Sequence, residues 1–157
     1  MTRWLSSDQQ RIWRDWLTAS QLLEHVLSSD LQESHGLTTS DYEILVRLSE
    51  SPDRRVRMSE LAEKVLASRS RLSHQIDRLE KAGFVTRAVC DVDRRGQFAV
   101  LTDKGWKLLV SAAHTHVTGV RNNFVDILTD AEYAALGTAV KKIAAHLDAT
   151  NETSKAK

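Results

Sequence analysis

Between Ser59 and Leu101, two short helical patterns follow one another with almost no chain between them, and two strand-like runs come directly after. SELAEKVL reads as a short helix opened by Ser59. After a break near Leu66–Ala67, Ser68 caps a second helix that ends at Gly83. FVTRAV and QFAVL are rich in β-branched and aromatic residues and flank the polar turn CDVDRRG, so they form a hairpin. So tight a succession leaves few arrangements. The second helix must pack its apolar stripe on the elements before it and leave its other face to solvent or a partner.

The remainder reads as helix. Ser6 or Ser7 caps a long amphipathic run in which Leu5, Ile12, Trp16, Leu23, Val26 and Leu31 recur at helical spacing, and His35 and Gly36 end it. Thr38 caps the next helix, with Leu37 and Tyr42 as a hydrophobic staple and Pro52 as the stop. Thr102 opens a further helix stapled by Leu101 and Trp106. Thr129 opens the last through a capping box to Glu132, with Leu128 and Tyr133 as the staple. The polar tail after Asp148 is expected to fray. The order is α-α-α-α-β-β-α-α, a mainly α protein with a small β-hairpin (α+β). Six glycines and one proline suit helices better than a turn-rich sandwich.

Net charge is +1, but it is unevenly spread. Residues 54–95 carry 11 Lys/Arg against 6 Asp/Glu, while the remainder carries 11 against 15. A basic middle attracts phosphate by Coulomb force and counterion release, although a salt-bridged surface has the same composition. In SRSRLSHQIDRLEKAG the apolar residues Leu72, Ile76 and Leu79 share one face. The leading turns and opposite face carry Ser68, Arg69, Ser70, Arg71, Ser73, His74, Asp77 and Arg78. A small, hydroxyl-rich start followed by arginines suits a helix lying against DNA: short side chains admit the backbone, and arginine bonds guanine edges or phosphate. Ser59 on the preceding helix is a candidate for the DNA backbone. At the hairpin tip, Asp93 and Gly96 flank Arg94 and Arg95. Arg95 is the first candidate for the minor groove and Arg94 for phosphate, with the two roles exchangeable; Asp93 orients the guanidinium. Two helices, a tight turn and this hairpin together make a winged helix-turn-helix.

Other constellations point nowhere further. Trp13 and Trp16 suit core or dimer packing better than a ligand clamp. His114 and His116, two apart on a helix, face different ways and lack partners for a metal. Cys90 is the one cysteine; it fits a reducing compartment and no intrachain disulfide. The sequence has no phosphate loop, zinc-protease motif or nucleophile elbow. With no signal-peptide pattern and no membrane span in the sequence, a soluble, non-enzymatic cytoplasmic protein without cofactor is expected.

Leu37-Thr38, SELAEKV, SRSRLSHQIDRLEKAGFV and DRRGQFAVLTDKG, over roughly residues 10–147, resemble the MarR (multiple antibiotic resistance regulator) family. The last of these holds the wing motif of Asp, any residue and Arg, leading to a Leu-Thr-x-x-Gly helix start. The resemblance implies a homodimer with interleaved terminal helices, binding a pseudo-palindromic site on double-stranded DNA. It divides the chain into a winged region at 37–101 and a dimerisation region at 1–36 and 102–157. It also implies a repressor released by a small aromatic effector, for which His35 and Tyr42 are candidates. The peroxide-sensing branch carries a cysteine near the start of its first helix, and none stands there. The competing reading is a helical ligand-binding or protein-interaction dimer with no specific DNA binding.

Overall fold

The computed structural model describes residues 1–89 and 96–155. Helix α1 spans Ser7–His35, opened by a capping box in which Ser6 accepts from the Gln9 N–H and the Gln9 side chain accepts from the Ser6 N–H. It stops where Gly36 turns left-handed at φ 66°. Helix α2, Thr39–Ser49, has a second such box: the Thr38 hydroxyl accepts from the Asp41 N–H at 3.1 Å, and the Asp41 carboxylate accepts from the Thr38 N–H at 3.2 Å. The stripe of α2, Ile44, Leu45 and Leu48, is completely buried.

Beyond α2 the structure adds what the periodicity does not show. A single 3-10 turn, Pro52–Arg54, holds Asp53 and Arg54 at φ 54° and 53° and feeds a short strand β1, Arg55–Arg57. The sheet therefore has three strands, where the sequence predicts a two-stranded hairpin. Three residues with one inward side chain, Val56, are too few for a period-two signal. Strand β1 runs straight into helix α3, Met58–Lys64, whose N-cap is Arg57 without a side-chain cap bond. The expected cap at Ser59 is thus corrected: Ser59 lies inside the first turn, because the strand leaves no residue free between it and the helix.

The α3 turn closes with Leu66 left-handed at φ 51°, its N–H on the Glu63 carbonyl at 3.2 Å and the Ala67 N–H on the Ala62 carbonyl at 2.9 Å. Helix α4, Arg69–Lys81, is capped by Ser68, which accepts from the Arg71 N–H at 3.2 Å. It ends in the same paired-bond motif, with Gly83 at φ 77°. Strands β2, Val85–Val89, and β3, Gln97–Leu101, pair antiparallel with Ala88 opposite Phe98, and β3 lies between β2 and β1. Val56, Val85, Ala99 and Leu101 face inward and share one core with Leu31, Leu37, Leu61, Leu72, Ile76 and Leu79. Each such leucine contributes roughly 1.5–3 kcal/mol.

Helix α5, Asp103–Val120, starts from a tight junction. The Thr102 hydroxyl accepts from the Gly105 N–H at 3.0 Å and reaches the Gly83 carbonyl at 2.8 Å. The chain divides at the last residue of α5 into units Met1–Gly119 and Val120–Lys157. In the second, one π-helical turn, Arg121–Val125, is locked by the Arg121–Asp126 pair at 2.7 Å, and the Phe124 and Tyr133 rings meet edge-on at 6.1 Å. Helix α6 spans Asp130–Lys155, with the expected box between Thr129 and Glu132. The backbone hydrogen bond from Thr129 lowers the Glu132 pKa. The tail expected to fray is helical to Lys155; no glycine or proline interrupts it, and the Thr150 hydroxyl donates back to the His146 carbonyl at 2.9 Å.

Gly105 explains the glycine of the Leu-Thr-x-x-Gly start. A Cβ there would stand 2.1 Å from the Phe84 carbonyl oxygen and 2.7 Å from Leu101 Cδ1. Backbone cannot yield as a flexible side chain can, so Gly105→Ala is expected to destabilise by about 1–3 kcal/mol or more. Urea unfolding measures it; a loss under about 0.5 kcal/mol would mean the junction opens freely.

Candidate nucleic-acid interface

The buried stripe of α4 fixes which side chains remain outside. Leu72 and Ile76 are fully buried and Leu79 nearly so, and Arg69, Ser70, Arg71 and His74 are then exposed around the first two turns. Ser68 is exposed too, but its oxygen is used by the cap. Ser59 is exposed on α3. Ser73 is half-buried, and its carbonyl accepts from Arg87. The structure therefore brings Ser59, Arg69, Ser70, Arg71 and His74 to the surface around the helix-turn-helix.

Arg78 is exposed as well, and it also has a partner in the fold. Its guanidinium donates to Asp41 at 2.7 Å, and that carboxylate is 8% exposed. Asp41 thereby closes the α2 cap with one oxygen and holds the last turns of α4 with the other. The sequence places Arg78 among base-reading side chains; in the fold its side chain is exposed and also braces two helices through Asp41.

The other end of the bracing comes from the wing. Arg87 on β2, 20% exposed, donates to Asp77, Glu80 and the Ser73 carbonyl, and the Arg87 N–H donates to Glu80 at 3.0 Å. Burial alone disfavours its charge, but the two carboxylates more than offset this and its pKa is raised. Sequence reasoning missed this staple, although Asp77 and Glu80, three apart on one helix face, form a matched acidic pair. Also missed are three arginines of the β1 segment held on aromatic rings: Arg54 over Trp106 at 4.4 Å, and Arg55 and Arg57 over Phe98 at 4.5 and 5.6 Å. The wing candidates Asp93, Arg94 and Arg95, together with Cys90, lie outside the described residues.

His35 and Tyr42 both meet α5. His35 Nε2 lies 2.9 Å from the Thr115 hydroxyl, and the Tyr42 ring packs on His116 at 4.6 Å. Burial raises the Tyr42 pKa and lowers that of His116, the latter partly countered by Glu24. Among the described residues no three His, Cys, Asp or Glu gather as a metal group, and no helix is long and apolar enough to cross a membrane.

A helix-turn-helix with a flanking three-stranded sheet and an exposed, arginine-bearing second helix defines a winged-helix DNA-binding protein. The MarR family profile matches residues 37–96. AbsC of Streptomyces coelicolor, a MarR family transcriptional regulator, is 49% identical, with a TM-score of 0.88 over 94% of this chain and 99% of that one. Sco3205 of the same organism, a MarR family regulator whose structure was solved with DNA, is 45% identical, with a TM-score of 0.87 over 91% of this chain and 90% of that one. The regulator YfiV of Bacillus subtilis is 32% identical over 104 residues, 66% of this chain and 63% of that protein. This chain belongs to the MarR family of transcriptional regulators.

Two outcomes follow from these geometries. Arg78→Ala strands the buried Asp41 carboxylate and is expected to cost about 1–3 kcal/mol of stability, whereas Arg69→Ala and Arg71→Ala leave stability within about 0.5 kcal/mol while weakening DNA binding. Thermal melts and duplex titrations of the three variants decide it; a stable Arg78→Ala with lost base preference reverses the assignment. For His116 the folded pKa lies below the unfolded 6.5, so the unfolded state binds more protons in that window. Stability should be flat above pH 6.5 and fall as pH drops from there through the lowered folded value. His116→Gln should flatten that limb, read as urea midpoints against pH; an identical limb in both proteins removes His116 from it.

Proposed function

We propose that this regulator is a cytoplasmic, non-enzymatic repressor that binds a pseudo-palindromic operator as a homodimer and leaves it when a small aromatic effector binds. The observation that carries the DNA reading is the exposed first half of α4, where Arg69, Ser70, Arg71 and His74 stand on a helix whose other face is locked in the core. In this reading Arg69 and Arg71 contact base edges or phosphate, Ser70, Ser73 and His74 adjust the fit, and Ser59 meets the backbone. Ser68 supports them as the cap. Asp93, Arg94 and Arg95 serve the minor groove and its phosphates from the wing. Sco3205, solved with DNA and 45% identical, supports the DNA-binding reading.

The dimer rests on apolar surface that a lone chain leaves in water. Along α1 and the residues before it, Trp4, Leu5, Ile12 and Trp13 are between 52% and 86% exposed. On α6, Ile143 and Leu147 are 57% and 55% exposed. Exposed apolar faces on this scale mark an interface, and a symmetric one covers both copies at once. Residues 1–36 and 102–157 thus form the dimerisation part and 37–101 the DNA-binding part. His35 and Tyr42 are the candidate effector residues, each already engaged with α5, so an effector reaching them must compete with Thr115 and His116.

The wing and the dimer are tested together. Sedimentation at low micromolar concentration should give twice the 17.7 kDa chain mass. The Arg94→Ala/Arg95→Ala double variant should weaken all duplexes alike and flatten the salt dependence by about one unit per lost phosphate contact. A monomer that binds DNA tightly, or an unchanged slope, refutes the corresponding half of the reading.

A further inference from the structure

The inward face of the hairpin carries one residue that its position does not call for. In the β2–β3 register Arg87 stands opposite Ala99 and Val85 opposite Leu101, and cross-strand partners share a face. Val85 and Ala99 are fully buried and Leu101 nearly so. An apolar side chain would continue that row at 87, yet a guanidinium stands there with 20% of its side chain exposed. An ion pair in such a place stabilises a fold no better than apolar residues of like volume, so stability alone is a poor account of it. What it adds is direction, because a guanidinium fork bonds its partners only in its own plane.

The partners of that fork are on α4. Arg87 donates to the Asp77 carboxylate at 2.7 Å, to Glu80 and to the Ser73 carbonyl at 3.3 Å, and its N–H adds a main-chain bond to Glu80 at 3.0 Å. Residues 73, 77 and 80 form one stripe along α4 at helical spacing, beside the exposed turn from Arg69 to His74. Beyond Val85 the apolar hold on β2 runs out: Thr86 is exposed, Ala88 is half-buried and Val89 is 63% exposed. Arg87 thus ties the outgoing strand of the wing to the recognition helix where hydrophobic packing no longer does so.

We propose that Arg87 is a positioning residue for DNA binding: it makes the recognition helix and the wing one rigid body, so that a single duplex meets both without first ordering one against the other. The inference rests on the DNA-binding reading of α4 and of Arg94 and Arg95, and it concerns the coupling between them, not a contact with DNA. Two surfaces held at the right spacing bind with the sum of their separate contributions. A hinged wing must be ordered on binding and contributes only part of its own.

The test compares the cost of removing the wing arginines in two backgrounds, using the full-length chain and a duplex that the wild type enriches from a random pool. Arg87→Met/Asp77→Asn/Glu80→Gln dissolves the ion pairs without stranding a carboxylate, so its melting temperature should stay within about 5 °C of the wild type. In the wild type, Arg94→Ala/Arg95→Ala should weaken binding about 10-fold or more; in the triple variant the same pair should weaken it about 3-fold or less. Arg87→Lys keeps the charge but not the fork, and the cost of losing the wing arginines in it should lie between those two values. If the triple variant melts far lower, Asp77→Asn/Glu80→Gln, which keeps Arg87, carries the same comparison at a temperature where it is folded. Equal wing costs in the wild type and in the folded variant overturn the proposal and leave Arg87 a structural residue, whatever the melts show. A wild type that loses nothing with Arg94 and Arg95 replaced overturns the wing reading together with this one, and a wild type that enriches no duplex overturns the DNA-binding reading itself.

Discussion

The burial of Leu72, Ile76 and Leu79 against α2, α3 and the sheet is the constraint from which the rest of the molecule follows. A helix with three side chains sunk in a common core cannot rotate about its axis without exposing them, at roughly 1.5–3 kcal/mol each. Rotation is thereby frozen and the polar face acquires a direction. Translation along the groove is controlled by other means. Ser68 fixes the start of α4, Asp41 takes Arg78 near its end, and Arg87 gathers Asp77 and Glu80 from the side. Apolar packing sets the angle of the helix, and charge pairing sets its position.

The arginines of this basic middle consequently divide into distinct populations. Arg78, itself exposed, pairs with the buried Asp41, where an uncompensated carboxylate would be costly, and Arg87 pairs with the part-buried Asp77 and Glu80. Arg54, Arg55 and Arg57 lie over aromatic rings, and Arg54 also pairs with Asp103 at 3.3 Å. Arg69 and Arg71 project from the exposed start of α4. A count of positive charge treats all of these alike, although Arg54, Arg78 and Arg87 are paired with carboxylates.

Much of the architecture was legible because its signals are local. Caps at Ser6, Thr38, Ser68, Thr102 and Thr129 pair a hydroxyl with a backbone N–H three residues on, and such bonds are written in neighbouring letters. The hairpin strands and the stripe of α4 were equally plain from periodicity. Strand β1 was hidden, since its identity comes from pairing with Phe98, Ala99 and Val100 some forty residues away and not from any pattern of its own. The cap assigned to Ser59 failed for the same reason: the strand already occupied the preceding residue. Among site residues, the exposed turn from Arg69 to His74 could be read from the helical wheel. The recruitment of Arg78 by Asp41, 37 positions apart, could not, because an arginine on a polar face looks the same whether it meets water or a buried acid.

Asp41 has a consequence for how this chain can vary. One carboxylate serves a helix cap through Thr38 and a helix brace through Arg78, so three positions in two elements share a single chemical commitment. Lengthening it to glutamate would carry the charge past the cap; shortening it to serine would keep the cap and desert the arginine. Drift at any one of the three is therefore conditional on the other two, and homologous chains should exchange them as a set: a neutral residue at 41 in company with an uncharged one at 78. The corner between α2 and α4 behaves as one hereditary unit distributed over distant stretches of sequence.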